Sequence, residues 1–198
     1  MFYLCKNLEF VEFASDSELQ IIGKNAFSTS GIKQISIPDH VTKIKSNAFY
    51  LCKNLSTVTF SNNSKLNSIG KEAFLNSSIE NVEIPCHVQL IKNGAFSNCE
   101  NLKKITFSEN SELQSIGESA FSNTSVVDIE IPRLVRKIRE NTFSICSCLN
   151  SVSFSNDSEL RKISENAFYN SSINQIFIPA KFKCFEPYWW NNTPKNLK

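Results

Sequence analysis

The chain has 198 residues and a mass of 22.4 kDa, which suits one domain or two small ones. Its 21 Lys and Arg nearly balance 19 Asp and Glu, so the strongly basic surface of a nucleic-acid-binding protein is not expected. No apolar run approaches the roughly 18 residues of a membrane span. The opening MFYLCKNLEFVEF also lacks the uninterrupted apolar segment of a signal peptide, so we expect neither a span nor a leader.

A phenylalanine, in most cases preceded by Ala, recurs along the whole chain. Its spacing alternates between 25 and 22 residues, so two unlike units form a double repeat of 47 residues. A fixed period of this length is the signature of a repeat protein. The recurring positions are Phe2, Phe27, Phe49, Phe74, Phe96, Phe121, Phe143 and Phe168.

Each unit contains an apolar triplet followed by an apolar pair. The last two members of the triplet alternate with polar residues, which predicts a half-buried strand. A pair at spacing three then leads back to the next Ala-Phe. In chain order the strand members are Val11/Phe13, Ile35/Ile37, Val58/Phe60, Val82/Ile84, Ile105/Phe107, Ile129/Ile131, Val152/Phe154 and Ile176/Ile178.

One unit of 22 or 25 residues cannot enclose its own apolar face, but stacked units can. The pattern therefore predicts a solenoid of about eight coils with one parallel β-sheet, each coil adding one strand. Pro follows every second strand, as at Pro85, and suits a strand end because it has no N–H to donate. The return segments stay open between irregular chain and short helical turns. We predict one domain over residues 1–190 and a polar tail over 191–198.

The repeat C-x-x-L-x-x-I-x-I/F-P/S, continued by L/V-x-x-I-x-x-x-A-F, resembles the BspA-like class of leucine-rich repeat proteins. The resemblance covers essentially residues 1–185. It implies a curved solenoid of the α/β horseshoe-like class, with the sheet on its concave face. It also implies a location at the cell surface and a role as a surface antigen in adhesion or partner binding.

Four of the seven cysteines form a column 47 residues apart: Cys5, Cys52, Cys99 and Cys146. In the shorter units the same position holds Ser or Thr, so successive cysteines lie two coils, or about 9–10 Å, apart. A disulfide needs Cα atoms within about 7 Å, which excludes pairing within this column. We interpret these cysteines as small residues that line a corner, and Asn54, nearby in the unit, as an interior residue. Free thiols favour a reducing compartment.

No pattern of catalytic, cofactor-binding or metal-binding residues recurs. The only histidines, His40 and His87, have no repeated acidic partner, so neither a Ser-His-Asp triad nor a zinc site is expected. Gly23, Gly70 and Gly117 share one position of the longer unit, and we expect turn glycines with positive φ there. The chain is therefore predicted not to be an enzyme and to need no cofactor.

The polar residues between the inward-facing strand residues are the candidate binding surface. In the middle of the chain they carry charge, with a lean towards acid, and a polar face of this kind suits protein or glycan partners better than a small molecule. The predicted partner-binding residues are Glu83, Lys104, Asp128 and Glu130.

Two functions remain open. The first is a binding module of the surface-antigen type that recognises protein or glycan through the concave face. The second is an intracellular, cytoplasmic structural or adaptor protein that self-associates end to end through the exposed edge of its first strand. Sequons at Asn76, Asn123 and Asn170 favour the first, and the free thiols favour the second. The aromatic residues from Phe182 to Trp190 are predicted to cover the last coil.

Overall fold

The computed structural model describes residues 2–179, 182 and 184–185. All regular secondary structure in these residues is β, and no helix occurs among them. The strands in chain order are β1 (Ile21–Ile22), β2 (Gln34–Ile37), β3 (Lys43–Ile44), β4 (Thr57–Phe60), β5 (Ser68–Ile69), β6 (Asn81–Ile84), β7 (Leu90–Ile91), β8 (Lys104–Phe107), β9 (Ser115–Ile116), β10 (Asp128–Ile131), β11 (Lys137–Ile138), β12 (Ser151–Phe154), β13 (Lys162–Ile163), β14 (Gln175–Ile176) and β15 (Cys184–Phe185).

The even-numbered and odd-numbered strands form two separate rows, both parallel. The even strands, which coincide with the predicted strands, form the long-strand sheet. The odd strands are two residues long and form the short-strand sheet on the return path. The first unit adds a single bridge, Phe10 to Gln34, to the long-strand sheet. These stacked coils complete about seven turns, which confirms the predicted leucine-rich-repeat solenoid. The return path, left open by the sequence, is made of turns and short strands.

The recurring phenylalanines form one continuous row of stacked rings through the interior. Neighbouring ring centroids are 5.0 to 5.7 Å apart from Phe2 to Phe168. This spacing is close to the 4.7–4.9 Å between neighbouring strands, so each coil contributes one ring per step. Phe49 through Phe168 are fully buried. A backbone hydrogen bond accompanies each step, as from Phe49 N–H to Ala73 O at 2.7 Å.

The cysteine column lies beside the phenylalanine row, as predicted. Cys52, Cys99 and Cys146 are fully buried, and all three are free thiols. The Cys99 thiol donates to Phe74 O at 3.1 Å and lies 3.2 Å from the Ser77 hydroxyl of the preceding coil. The thiols therefore satisfy a backbone carbonyl that the tight corner leaves without a strand partner. Burial raises the pKa of the Cys99 thiol to about 11.

The long-strand sheet is paired in couples. β6 and β8 pair along four residues, as do β2 with β4 and β10 with β12. By contrast, β4 and β6 pair only at Thr57 and Asn81, and no paired residues join β8 and β10 within the described chain. We call these weakly joined steps the open interfaces.

A proline follows one strand of each open interface. Ser108, which follows β8, donates its N–H to Ile84 O at 3.0 Å. Pro85 holds the equivalent position after β6 and has no N–H to donate to the preceding strand. Pro38 and Pro132 follow β2 and β10 in the same way. The β4–β6 step therefore cannot form the hydrogen bond that closes the end of the β6–β8 step.

The glycine prediction was wrong. Among the described residues, Gly94 is the one glycine with a positive φ. Gly23, Gly70 and Gly117 do not have a positive φ. A Cβ at Gly70 would lie 2.5 Å from the carbonyl carbon of Lys45 and 2.7 Å from Ile44 O, so glycine is required there by the close approach of the preceding coil. The positive φ values occur mainly at Asn residues on either side of the phenylalanine, such as Asn47 and Asn76.

Two smaller expectations also need correction or lie outside the described residues. Asn54 is exposed rather than interior, and Cys148, which takes the equivalent position two double repeats later, is exposed as well. Phe182 packs against the core as predicted, with partial burial. Residues 186–198, which include Trp190 and the predicted tail, lie outside the described residues, so the predicted aromatic cover and tail stay predictions.

Candidate binding face

The four predicted partner-binding residues lie on three consecutive strands of the long-strand sheet. Glu83 lies on β6, Lys104 on β8, and Asp128 and Glu130 on β10, and all four are exposed. Their inward-facing neighbours Val82, Ile105 and Ile129 are buried, so the alternation along each strand presents the charged groups outward. The structure therefore brings the four residues together on one face.

Three shallow grooves cross this face, and each contains a proline-ended strand. We call them the Pro38 groove, the Pro85 groove and the Pro132 groove, with volumes of about 590, 870 and 950 Å³. Successive grooves are one double repeat apart. The Pro85 and Pro132 grooves each span three strands, and so each includes one open interface and one fully paired step.

The predicted residues line the two larger grooves. Glu83 lies in the Pro85 groove, Asp128 and Glu130 lie in the Pro132 groove, and Lys104 lines both. The charges within the grooves lean towards acid, since Glu109 also lines both of them. Lys103, Arg133 and Asp157 also line the Pro132 groove, so its charge is mixed, with four acidic and three basic residues.

Two of the four charged groups are held by neighbouring hydroxyls, and two are uncommitted. The Ser108 hydroxyl donates to Glu83 at 3.1 Å, and the Ser151 hydroxyl donates to Asp128 at 2.6 Å. Within the described residues, Lys104 and Glu130 have neither an ion pair nor a side-chain hydrogen bond. Of these four residues, one cation and one carboxylate are thus free, beside two oriented carboxylates.

The sequence did not identify the aromatic part of the grooves. Phe60 and Phe107, the last residues of β4 and β8, were assigned inward, and they do pack against the core. Both are nevertheless only partly buried, and each lines a groove at an open interface. The Ile residues that end the proline-bearing strands, such as Ile84 and Ile131, are fully buried. The sequence did contain a signal for this aromatic part, because the strand of the longer unit ends in Phe rather than Ile.

A second row of charged contacts follows the grooves, in the turns after the long strands. Glu112 accepts hydrogen bonds from Gln89 at 3.0 Å and makes one with His87 at 2.9 Å, and these contacts lower the pKa of its carboxyl. In the next double repeat, Arg136 contacts Glu159 at 2.9 Å. A carboxylate of the longer unit is therefore held by two side chains of the preceding shorter unit. These exposed pairs order the rim of the grooves.

The described residues contain no group of three or more His, Cys, Asp or Glu side chains arranged to hold a metal ion. None of them forms a helix with the length and apolar character needed to cross a bilayer.

The comparisons with known proteins agree with this geometry. The model of the BspA type leucine-rich repeat region matches residues 1–93 and 67–197, with six copies. The chain belongs to the BspA-type leucine-rich repeat family. No curated protein matches the sequence.

Two solved structures illustrate the shared fold. A leucine-rich repeat protein from Bacteroides ovatus superposes with a TM-score of 0.64 at 19% identity, over 93% of this chain and 64% of that one. The leucine-rich repeat protein of T. pallidum gives a TM-score of 0.69 at 26% identity, over 77% of this chain and 72% of that one. The BspA-type chain therefore spans less than two thirds of the Bacteroides ovatus protein.

Proposed function

We propose that this BspA-type protein is a non-enzymatic binding module of the surface-antigen type, and that it holds protein or glycan partners on its long-strand sheet. The observation that carries the proposal is the clustering of four charged side chains at the Pro85 and Pro132 grooves. Two of them, Lys104 and Glu130, have no partner within the described chain. A charge without a partner inside the fold adds little to stability and is available to a ligand.

The chemistry of the grooves supports a polar partner with some apolar surface. Partly buried Phe60 and Phe107 offer an aromatic face, while Glu83 and Asp128 can accept hydrogen bonds from hydroxyl or amide groups. The Ser155 hydroxyl lines the Pro132 groove and has no hydrogen-bond partner within the described residues. The grooves are open and shallow, which suits an extended chain of sugars or amino acids better than a compact small molecule.

Charge reversal tests the proposal. The variant Glu83→Lys/Lys104→Glu/Asp128→Lys/Glu130→Lys should lose at least tenfold in affinity for whichever ligand the native protein binds on a glycan array or a panel of purified glycoproteins. The matched control carries the same number and signs of changes at exposed positions away from the grooves: Glu100→Lys, Glu118→Lys, Glu140→Lys and Arg161→Glu. Unchanged affinity of the groove variant would overturn the proposal.

Location at the cell surface is part of the same proposal. Asn76, Asn123 and Asn170 share one turn position with φ of 53° to 58°, and each begins a sequon. The mass of the protein from its native source would show glycans at these sites if the chain passes through the secretory route. A mass equal to that of the bare polypeptide would favour the cytoplasmic alternative.

End-to-end self-association through the first unit stays the alternative. Sedimentation velocity over a hundredfold range of concentration would reveal it as a mass that grows with concentration, and a strict monomer would remove it.

A further inference from the structure

The turn that carries the phenylalanine row has different surfaces in the two halves of the chain. In two of the longer units the four residues after Phe read Tyr-Leu-Cys-Lys, at Tyr3–Lys6 and Tyr50–Lys53. The same positions later read Ser-Asn-Cys-Glu and Ser-Ile-Cys-Ser. The repeat therefore does not require Tyr, Leu or Lys at this turn. We call one surface of this turn the lysine edge. It consists of Tyr3–Lys6, Tyr50–Lys53, Lys24, Lys45, Lys71 and Lys92.

Backbone hydrogen bonds place the residues of the lysine edge side by side. Leu4 N–H donates to Ser28 O at 3.0 Å, and Thr29 N–H donates to Tyr50 O at 2.7 Å. Leu51 N–H then donates to Leu75 O at 2.8 Å. Four successive coils thus present their turn residues in one row, and Tyr3 and Leu4 are 53% and 50% exposed.

The leucines occupy a backbone conformation that does not favour them. Leu4 and Leu51 have φ of 61° and 55°, in the left-handed region. Asn tolerates that region well and Leu does not. The same turn position holds Asn76, Asn98, Asn123 and Asn170 in four other coils, and Thr29 and Ile145 in two more. Backbone strain therefore favours Asn over Leu at positions 4 and 51.

Positive charge surrounds these apolar side chains. Lys6 and Lys53 follow them directly, and Lys24, Lys45, Lys71 and Lys92 enter the same turn three or four residues before the phenylalanine. All six lysines are exposed. Glu72, which contacts Lys71 at 3.3 Å and Asn47 at 3.3 Å, is the acidic residue of this surface among the described residues. In the other half, the positions equivalent to Lys6 and Lys53 hold Glu100 and Ser147, and those equivalent to Lys24 and Lys71 hold Glu118 and Glu165, while Arg139 keeps the positive charge of Lys45 and Lys92.

We infer that the lysine edge binds the surface of a membrane rich in anionic phospholipids. Lysines near such a surface gain electrostatic attraction, and Tyr and Leu between them can enter the boundary between headgroups and acyl chains. A soluble polyanion would use the lysines but would not use strained leucines, of which Leu4 is exposed and Leu51 partly buried. The inference is independent of the proposed role of the grooves.

Vesicle sedimentation tests the inference with the full chain. We expect binding to vesicles of phosphatidylserine and phosphatidylcholine, no binding to phosphatidylcholine alone, and loss of binding at high salt. Reversing one lysine of the edge, Lys53→Glu, should weaken binding at least fivefold, since one lysine near an anionic surface contributes about that factor. Equal binding to both kinds of vesicle, or binding to neither, would overturn the inference.

The leucines provide a sharper test, because their role in folding and their role in binding have opposite signs. The variant Leu4→Asn/Leu51→Asn should have an equal or higher melting temperature, by about 2–4 °C per relieved residue, yet bind anionic vesicles several-fold more weakly. The control is Ile145→Asn, which relieves the same turn at φ 61° in the acidic half and should leave vesicle binding unchanged.

A soluble polyanion separates the two sources of negative charge. If the native protein and the leucine variant bind heparin equally tightly, and neither protein binds vesicles, the edge recognises a polyanion and the membrane inference is wrong. If the leucine variant loses vesicle binding while both proteins bind heparin equally weakly, the inference is supported.

Discussion

The phenylalanine turn and the long-strand sheet run the same length of the solenoid but differ in continuity. At the turn, every described step has a stacked ring pair and a backbone hydrogen bond, such as Phe74 N–H to Ala95 O at 2.8 Å. In the sheet, the β4–β6 and β8–β10 steps are open interfaces, and β12 and β14 pair at only two residues. The coils are therefore held in register mainly by interior packing and turn hydrogen bonds, while the sheet is free to form grooves.

Removing one ring is the strongest way to challenge this comparison. Phe96→Ala should lower the free energy of unfolding by about 3–5 kcal/mol, because the ring is fully buried between two others. Phe107→Ala, at the end of β8, should cost clearly less because Phe107 is partly exposed. Urea denaturation measures both. Equal losses would show that the turn does not dominate.

Crowding the turn row should have the next largest effect. Gly70→Ala places a Cβ against the backbone of Lys45, and we expect a loss of roughly 1–3 kcal/mol from the forced shift. Gly23 occupies the same position of the repeat and has nothing within 4 Å of an added Cβ, so Gly23→Ala is the matched control and should be nearly neutral. If both variants unfold at the same urea concentration, close contact between coils is not what selects glycine.

Closing an open interface should sharpen the comparison with a smaller change in stability. Pro85→Ala restores an N–H that would face the carbonyl of Phe60 if the Thr57–Asn81 register continued. A new hydrogen bond of about 0.5–1.5 kcal/mol is offset by a more flexible unfolded chain, so the net change should stay within about 1 kcal/mol. Hydrogen exchange should show a protected amide at position 85. Exchange as fast as that of a loop would mean that proline is not the cause of the opening.

The thiols should show the smallest effect near neutral pH. Because burial raises the pKa of Cys99 to about 11 from an ordinary value of 9.0, its contribution to stability is complete below pH 9 and disappears as the pH rises through about 11. At pH 8 a thiol reagent should modify exposed Cys148 first and Cys99 only on unfolding. Early modification of Cys99 would show that the turn opens locally.

The sequence predicted the parts of the fold that rest on periodicity. The phenylalanine row, the four-residue strands and the buried cysteine column follow from a fixed period and from alternation of apolar residues. The short strands could not be predicted because two residues give no alternation. The glycines were misassigned because both a close approach between coils and a left-handed turn favour glycine. In this chain the left-handed positions are occupied mainly by Asn.

The candidate site was predicted in its charges and missed in its shape. Alternation along β6, β8 and β10 placed Glu83, Lys104, Asp128 and Glu130 outward. Each groove contains a proline-ended strand and extends over both of its neighbours, which alternation along a single strand does not reveal. The role of proline as a strand end was visible in the sequence, but its effect on the pairing between coils was not.

The pairing of strands in couples has a consequence for how such a chain can change its length. Insertion or loss of a single 22- or 25-residue unit would place two proline-ended strands, or two cysteines, in adjacent coils. Gain or loss of a whole 47-residue pair would preserve every kind of contact. We therefore expect viable length variants of this solenoid to differ in even numbers of coils, each added pair bringing one more groove.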